Sequence, residues 1–342
     1  MSALSQQNNK RIAKNTLLLY FRMLFSMGIG LFTSRIVLES LGIEDYGIYN
    51  LVGGIVTIFA FLNSAMIATS QRFISYELGK GNLHKLKDVF CTTLTIHIAI
   101  AFIIVVLSEV IGVWFLNTKL NIPSDRMMAA NWTLQLSIFV FAVNVISVPY
   151  NASIVAHEKM SAFAYISIFE VSLKLAIAYL LLFISYDKLI VYSILVFCVA
   201  LLLRSLYCFY CKRHFEECHY TFSFNIEQFR EMFAFAGWSL VGNLGFSFKD
   251  QLSNILLNLF FGTVVNAARG ISVQVGSLIN SFSANFMMAM NPQITKSYAV
   301  GDLYRSKELV YAGCRFSFYL LAVISLPIMI NITCILNLWL VE

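Results

Sequence analysis

The sequence predicts an all-α, polytopic membrane protein, and three observations support that prediction. Of the 342 residues, 59 % are hydrophobic and only 12 % are charged, whereas a soluble domain carries about 25 % charged residues. Apolar runs long enough to cross a hydrocarbon core of about 30 Å recur along the chain. One stretch of sequence also occurs twice, which indicates two similar bundles of helices.

The apolar runs number about nine, and each is expected to form one transmembrane helix. Their expected bounds are 15–38, 46–70, 89–116, 128–156, 161–185, 189–211, 232–261, 263–290 and 309–340. The connections on one side of the membrane hold fourteen Lys and Arg residues, and those on the other side hold three, Lys119, Arg126 and Lys188. The positive-inside rule therefore predicts a multi-pass protein of the inner (cytoplasmic) membrane with a cytoplasmic N-terminus. Arg11, in the basic segment before the first run, is expected to anchor that segment to the inner leaflet.

This topology accounts for the net charge of +6 without a nucleic-acid partner.

A segment that begins at Gln71 is repeated from Gln293. The matching positions are Gln71, Ser75, Tyr76 and Gly79 with Gln293, Ser297, Tyr298 and Gly301, then, after a two-residue gap, Leu83, Lys85, Lys87 and Asp88 with Leu303, Arg305, Lys307 and Glu308. Each copy lies between two apolar runs, so we expect two parallel lobes with a binding site near the midplane between them. The expected domains are a six-helix N-terminal lobe (1–211), a cytoplasmic linker (212–231) and the first three helices of an incomplete C-terminal lobe (232–342).

Charged residues inside the first-lobe helices are candidates for substrate binding. Arg22 lies about 10 Å into the first run, where an arginine costs roughly 3 kcal/mol unless it faces a polar interior or snorkels to the interface. Arg35, near the far end of that run, fits either the mouth of a cavity or an interfacial anchor. Lys174 is spaced i, i+4 from Glu170, which suits either a structural ion pair or a lysine that contacts an anionic substrate. We take Arg22, Arg35 and Lys174 as substrate-binding candidates and Glu170 as a coupling candidate.

The seventh helix carries the clearest polar face of the chain. Its members lie within one face at 100° per residue: Ser239, Asn243, Ser247, Asp250, Gln251, Asn254 and Asn258. Such a helix is not expected to stand alone in lipid, so this face should meet neighbours or a water-filled cavity. The eighth helix offers a matching face of Asn266, Arg269, Ser272, Asn280 and Ser283. The substrate-binding candidates here are Asn243, Gln251, Asn254, Arg269 and Asn280, and Asp250 is a coupling candidate.

His97 and Glu109 both lie in the third apolar run. An intramembrane histidine and carboxylate suggest a proton relay, but about three turns separate them, and local hydrogen bonding is the alternative. His97 is kept as a coupling candidate. Cys208, Cys211 and Cys218 match no zinc-finger spacing, so we predict no metal site, cofactor or catalytic group.

Three further stretches carry a resemblance to a known family. They are Gln71-Arg-Phe-Ile-Ser75, the pair Pro149-Tyr-Asn-Ala152 and Ala156-His-Glu-Lys159, and Asn291-Pro-Gln-Ile294 with Gly301-Asp302. Together with the repeat, they resemble the polysaccharide-unit (O-antigen, Wzx-type) flippases of the MOP (multidrug/oligosaccharidyl-lipid/polysaccharide) exporter superfamily. The resemblance implies a MATE-like fold, in which two six-helix lobes form a V around a central cavity.

The resemblance also implies a function and partners. The cargo would be a polyprenyl-pyrophosphate-linked oligosaccharide, moved from the inner to the outer leaflet by alternating access, with polysaccharide polymerase and chain-length proteins as partners. Cavities of this family tend to be cationic, in agreement with Arg22, Lys174 and Arg269.

Other functions stay open at this point. A MATE-type drug/cation antiporter would place a carboxylate in the first-lobe cavity, whereas the first helix offers two arginines and no acid before Glu39. A lipid II flippase of the same fold would also carry a pyrophosphate lipid. A membrane-embedded transferase would need clustered acid and base residues, yet the basic connections offer only His84 beside lysines, so we predict no enzyme.

Overall fold

The computed structural model describes residues 3–57, 59–120, 122–221 and 225–334. The side chains of residues 3–8, 57, 60–62 and many of those between 246 and 271 fall outside this description. Almost all of the described residues are helical, and no strand occurs among them. The helices are α1 (Ala3–Thr57), α2 (Ala60–Lys80), α3 (Leu83–Leu107), α4 (Val113–Thr118), α5 (Met127–Ala156), α6 (Met160–Phe183), α7 (Lys188–His214), α8 (Ile226–Ala299) and α9 (Leu303–Ile330).

Six helical stretches of the described chain are long and apolar enough to cross a membrane. They are Asn9–Val56, Leu83–Thr118, Met127–Ala156, Met160–Phe183, Lys188–His214 and Leu303–Ile330. The second of them combines α3, a π-helical turn and α4. The prediction of an all-α, polytopic membrane protein is confirmed, whereas the count of nine helices is not.

The gap between the first two predicted helices, residues 39–45, coincides with a break in α1. Gly42, with φ 81° and ψ 170°, is not helical and divides α1 into two helical segments, the second of which ends at Thr57. The predicted second helix, 46–70, is wrong at its end. It covers most of the second segment of α1 and the first half of α2, which ends at Lys80.

The longest helix, α8, folds back on itself. Its 74 residues would measure about 110 Å if straight. Its two ends instead contact the same helix, because Phe235 lies 6.2 Å from Phe73 of α2, ring centre to ring centre, and Lys296 packs against Gly79 of α2. The two arms of α8 correspond to the predicted seventh and eighth helices, and we call them the first and second arms.

The first lobe, α1–α7, is built around α5, which packs against α2, α3 and α7, while α1 packs against α6. Its two largest apolar clusters lie at opposite ends. One surrounds Phe90 and Ile154 and lies toward the end of the bundle that carries the start of the chain, the N-terminal face. The other surrounds Leu116 and Leu134 and lies toward the opposite face. The described part of the second lobe consists of α8 and α9, and α8 packs on α1 and α2.

The two copies of the repeat have the same local structure. In each copy a helix is followed by a glycine in the left-handed region, Gly81 at φ 70° and Gly301 at φ 81°. The residue after the glycine caps the next helix, because Asn82 Oδ1 and Asp302 Oδ1 each accept a hydrogen bond from the backbone N–H three residues later, at 3.1 and 2.9 Å. The structure therefore pairs Gly81, and not Gly79, with Gly301. The gap in the alignment falls before the glycine.

Gly79 serves a different purpose. A Cβ atom at this position would lie 2.8 Å from the Cα atom of Lys296. The missing side chain thus lets the end of α2 touch the second arm of α8. As a result, the two copies of the repeat contact each other at the N-terminal face.

On the opposite face, Arg126 joins three helices of the first lobe. Its Nε donates to Asp45 Oδ1 at 2.8 Å, just beyond the kink of α1, and its Nη1 donates to Asp187 Oδ2 at 2.8 Å. Asp187 caps α7, and Arg126 itself immediately precedes α5. The hydrogen bonds to Asp45 raise the pKa of Arg126 above its usual value. One side chain therefore holds α1, α5 and α7 together.

We expect Gly79→Ala to destabilise the protein, because the added methyl group would overlap the Lys296 backbone. Overpacking of this kind costs about 1–3 kcal/mol. Thermal unfolding of the detergent-solubilised protein should show a lowered midpoint. Gly276→Ala is the matched control, since a Cβ there meets nothing within 4 Å and alanine favours a helix. An unchanged or raised midpoint for Gly79→Ala would contradict the close contact.

Candidate functional site

A buried carboxylate lies at the N-terminal face where the two lobes meet. Glu158, in the connection between α5 and α6, is 4 % exposed. Its Oε1 lies 2.7 Å from Lys296 Nζ and its Oε2 lies 3.2 Å from Arg11 Nε, while Gln293 donates a hydrogen bond to Oε2 at 2.6 Å. We call these four residues the Glu158 network. It joins α1, the α5–α6 connection and the second arm of α8.

The backbone of the α5–α6 connection is held as tightly as the carboxylate. Glu158 adopts φ 60°, a left-handed conformation that costs a non-glycine residue roughly 1–2 kcal/mol. Arg11 donates to the carbonyl oxygen of His157 at 3.0 Å. The His157 ring stacks on Phe215, with 3.9 Å between ring centres, and its Nε2 lies 2.6 Å from Glu217 Oε1. The segment that follows α7 is thereby tied to the same connection.

Charge holds the Glu158 network together around a buried carboxylate, whereas the Arg11 side chain is 45 % exposed. Removing one partner of a buried ion pair costs about 3–5 kcal/mol, because the remaining charge is left uncompensated. Burial lowers the pKa of Lys296 below its usual value, and the carboxylate of Glu158 opposes that change. The network therefore stabilises the arrangement in which the lobes meet at the N-terminal face.

Arg22 lies deeper in the bundle, between the two lobes. Its Nη2 donates to Asn285 Oδ1 of the second arm at 2.9 Å, and its guanidinium carbon lies 4.9 Å from the centre of the Phe163 ring in α6. Its Nε is buried and makes no hydrogen bond within the described part of the chain. A guanidinium has five N–H donors, so Arg22 keeps hydrogen-bonding capacity at the contact between the lobes.

The surroundings of Arg22 carry a net positive charge. Tyr207 and Glu170 interact electrostatically with it. Glu170 also accepts a hydrogen bond from Lys174 Nζ at 2.6 Å, which is the i, i+4 pair expected from the sequence. Two cations thus share one carboxylate in this part of the first lobe.

Contacts between α1 and the second arm are found in the half of α1 nearer to the N-terminal face. They run from Ile12, which packs against α8, to Met23, whose Sδ accepts a hydrogen bond from Ser281 Oγ at 3.2 Å. Further along α1, Phe32 is 67 % exposed, and Val273 of the second arm is 50 % exposed. Among the described residues, α1 and the second arm therefore contact each other toward the N-terminal face, while Phe32 and Val273 stay exposed.

The other candidate residues of the second lobe are spread along α8. Asn243 donates to Ser64 of α2 at 3.1 Å, so the described part of the polar face meets a neighbour, as expected. Arg269 lies sixteen residues from Asn285, about 24 Å along the helix, and is thus nearer to the opposite face than Arg22 is. Asn280 is exposed on the same arm.

The side chains of Asp250, Gln251 and Asn254 lie outside the described residues.

Two candidates of the first lobe lie away from Arg22. Arg35 is exposed near the kink of α1, where a cavity mouth and an interfacial anchor both fit. His97 is fully buried, and its Nδ1 lies 2.7 Å from the carbonyl oxygen of Thr93. Glu109 accepts a hydrogen bond from Gln135 at 2.8 Å. His97 is therefore bonded within its own helix and Glu109 to α5, and neither hydrogen bond joins the two residues.

Sequence reasoning missed the Glu158 network. It assigned Arg11 to membrane anchoring, whereas the structure shows Arg11 paired with Glu158. The one sequence signal for this network was the position of Glu158, directly after the long apolar run that forms α5. Its partners Gln293 and Lys296 are 135 and 138 residues away, and a single sequence does not reveal that pairing.

Comparisons with known proteins agree with this architecture. The model of a family described as "Polysaccharide biosynthesis protein" matches residues 12–296. A curated relative, "Uncharacterized membrane protein EpsK" of Bacillus subtilis (strain 168), is 19 % identical over 304 residues, which make up 87 % of this chain. The chain spans 59 % of the length of that relative.

Solved structures show the same fold. A mutant of the MATE transporter VcmN of Vibrio cholerae has a TM-score of 0.81 at 14 % identity, with 100 % of this chain and 77 % of that chain covered. An outward-facing multidrug resistance MATE family transporter of the MOP superfamily has a TM-score of 0.80 at 12 % identity, with 97 % and 75 % covered. A MOP superfamily transporter from Pyrococcus furiosus, described as having a binding pocket of reverse polarity, has a TM-score of 0.73 at 13 % identity, with 93 % and 72 % covered.

At these identities the structural likeness establishes the fold, which is the one seen in the MATE transporters. Because the family model extends over most of the sequence, the chain belongs to the polysaccharide biosynthesis protein family.

Proposed function

We propose that the protein is a flippase that moves a polyprenyl-pyrophosphate-linked oligosaccharide, a repeat unit of a surface polysaccharide, from the inner to the outer leaflet of the cytoplasmic membrane. Membership of a polysaccharide biosynthesis family and the transporter fold support this function. The observation that carries it is Arg22, a cation between the lobes with hydrogen-bond donors not used by the protein. A pyrophosphate supplies the acceptor oxygens that such a guanidinium binds best.

In this proposal the cargo headgroup binds first at Arg22 and Lys174. Both side chains belong to the first lobe, and Glu170 compensates only one of their charges. Further candidates extend along the cavity toward the opposite face: Arg35, Asn243, Gln251, Asn254, Arg269 and Asn280. Glu170, Asp250 and His97 stay candidates for ion coupling.

The positive charge around Arg22 argues against a drug/cation antiporter. An organic cation would be bound by a carboxylate that no neighbouring cation neutralises. Glu170, the acid that interacts with Arg22, is instead bonded to Lys174. An anionic lipid headgroup matches this distribution of charge, whichever oligosaccharide it carries.

Alternating access assigns a role to the Glu158 network. With the N-terminus in the cytoplasm, as the basic connections predict, the network closes the cytoplasmic end of the cavity. Opening that end requires Glu158 to release Gln293 and Lys296, because these two residues belong to the other lobe. The network is thus a gate whose strength sets the balance between the two conformations. Polymerase and chain-length proteins are the partners expected to receive the cargo.

Replacing Arg22 should abolish transport. We expect Arg22→Ala to reduce the rescue of surface polysaccharide at least about tenfold in a flippase-deletion strain that expresses this gene, because a hydrogen bond to a charged group contributes about 1.5–3 kcal/mol. Arg22→Lys should recover part of the activity. Arg213→Ala, which removes an exposed arginine at the N-terminal face, is the control and should rescue fully. Wild-type rescue by Arg22→Ala at equal expression would refute the binding role.

Weakening the gate should loosen the N-terminal face selectively. We expect Glu158→Gln to speed amide hydrogen exchange in peptides covering 9–15 and 291–299, because Arg11 and Lys296 lose their carboxylate. Exchange around Arg126, on the opposite face, should stay unchanged.

Glu227→Gln removes an exposed acid from the same face and serves as the matched control. If Glu158→Gln speeds amide hydrogen exchange equally at both faces, the variant is destabilised globally. If exchange at 291–299 is not faster, the carboxylate does not hold the gate.

A further inference from the structure

Two grooves flank the contact between the lobes. They are formed by helices that correspond to each other in the two copies of the repeat. In each groove the first helix of one lobe faces the second and third helices of the other. The α9 groove lies between α1, the second arm of α8 and α9, and comprises two adjoining cavities of about 450 and 490 Å³. The α3 groove lies between the first arm, α2 and α3, and has a volume of about 420 Å³.

The two grooves differ in chemistry. The α3 groove is lined by apolar residues throughout, for example Met66, Ile100 and Leu240. The α9 groove is apolar along its inner part, where Leu17 and Val323 line it, but its end at the N-terminal face is lined by Asn9, Arg305, Glu308 and Arg315. The α9 groove therefore has a polar end and an apolar continuation.

Arg315 makes the polar end cationic. It is exposed, lies within the membrane-spanning stretch Leu303–Ile330, and forms no ion pair within the described part of the chain. Glu308, the one acid lining this groove, accepts a hydrogen bond from Arg305 Nη1 at 2.7 Å. Two arginines thus face one carboxylate, and one positive charge remains at a depth where an isolated cation is costly.

Comparison of the two copies of the repeat shows that only the α9 groove has an arginine at the position of Arg315. The alignment of the two copies that pairs Leu83 with Leu303 also pairs Thr95 with Arg315. Thr95 Oγ1 donates to the carbonyl oxygen of Cys91 at 2.9 Å and lies 3.2 Å from the hydroxyl oxygen of Tyr220. The second lobe has an arginine where the first has a neutral, internally bonded side chain, although the surrounding helices correspond.

Two hydroxyl groups in the wall of the α9 groove are also unsatisfied. Thr16, 9 % exposed, and Tyr20 both line its inner part. Thr16 Oγ1 and the Tyr20 hydroxyl are buried and make no hydrogen bond to any described residue. A buried hydroxyl group without a hydrogen-bond partner is unfavourable.

The length of the groove matches one lipid leaflet. Along α1 it extends from Asn9 to Tyr20, about 16 Å at 1.5 Å per residue. Half of a hydrocarbon core of about 30 Å is about 15 Å. Leu17 is 70 % exposed and Phe316 is 48 % exposed along this path, so an apolar chain lying there would cover them.

We propose that the α9 groove binds one anionic phospholipid of the leaflet at the N-terminal face, with its phosphate held by Arg315 and Arg305 and one acyl chain lying along Leu17, Phe316 and Val323. Basic pockets between membrane helices bind anionic headgroups in this way. The lipid spans α1 of the first lobe and α9 of the second, so it adds to the contact between the lobes. The site lies on the lipid side of that contact and does not depend on which cargo the cavity carries.

The test is lipid retention by the purified full chain in detergent, measured by native mass spectrometry after addition of phosphatidylglycerol or phosphatidylcholine. We expect one phosphatidylglycerol to be retained in preference to phosphatidylcholine, and Arg315→Gln to lower that retention about tenfold, since one charged hydrogen bond is worth about 1.5–3 kcal/mol. Arg315→Lys should keep the preference. Lys85→Gln, which removes the residue that the repeat pairs with Arg305, should not change it.

Equal retention of the two lipids by the wild-type chain would overturn the proposal, as would unchanged phosphatidylglycerol retention by Arg315→Gln. Displacement of phosphatidylglycerol by an equimolar polyprenyl phosphate would assign the groove to the isoprenoid carrier instead of a bilayer phospholipid. A failure of Arg22→Ala to block polysaccharide rescue would leave all of these measurements unaffected, so the two proposals fail separately.

Discussion

The closed N-terminal face depends on the burial of one carboxylate. An isolated Glu158 would be strongly unfavourable inside the bundle, and the backbone that presents it is itself in a left-handed conformation. Arg11 comes from the start of α1, whereas Lys296 and Gln293 come from the end of α8, and these partners make the burial possible. The first lobe, the second lobe and the α5–α6 connection are therefore joined at one point, and Gly79 allows the backbones to approach each other beside it.

The residues at the interface between α1 and the second arm change with distance from the Glu158 network. The Glu158 network lies at the face, and Arg22 lies about 10 Å deeper than Asn15, which hydrogen-bonds to the Glu158 backbone. Beyond Met23 the described contacts between α1 and the second arm end, and the side chains become exposed. Arg22 thus lies near the inner limit of the contacts that the described residues of α1 make with the second arm.

The sequence predicted the class of fold because composition and the repeat act over the whole chain. It predicted the pairing of Glu170 with Lys174 because i, i+4 neighbours on a helix are local. It also located the second copy of the repeat, although the true correspondence of Gly81 with Gly301 became clear only from their backbone angles. Local spacing and periodicity were sufficient for each of these.

The remainder could not be predicted because it depends on which helices become neighbours. No local pattern links Glu158 with Lys296, and Arg22 could have pointed to lipid as easily as to Asn285. The end of the second predicted helix was wrong because α2 continues to Lys80. Kinks and reversals within continuous helices leave weak signals, since apolar composition continues through them.

Arg126 has a mechanical consequence. Because its guanidinium binds Asp45 and Asp187 beside the start of α5, three helices of the first lobe are fastened at the far end of the bundle. Bending one of these helices alone would strain that junction, whereas turning all of them as a block would leave it intact. The least costly large motion of the first lobe is accordingly a rigid tilt, in which α1, α5 and α7 move together.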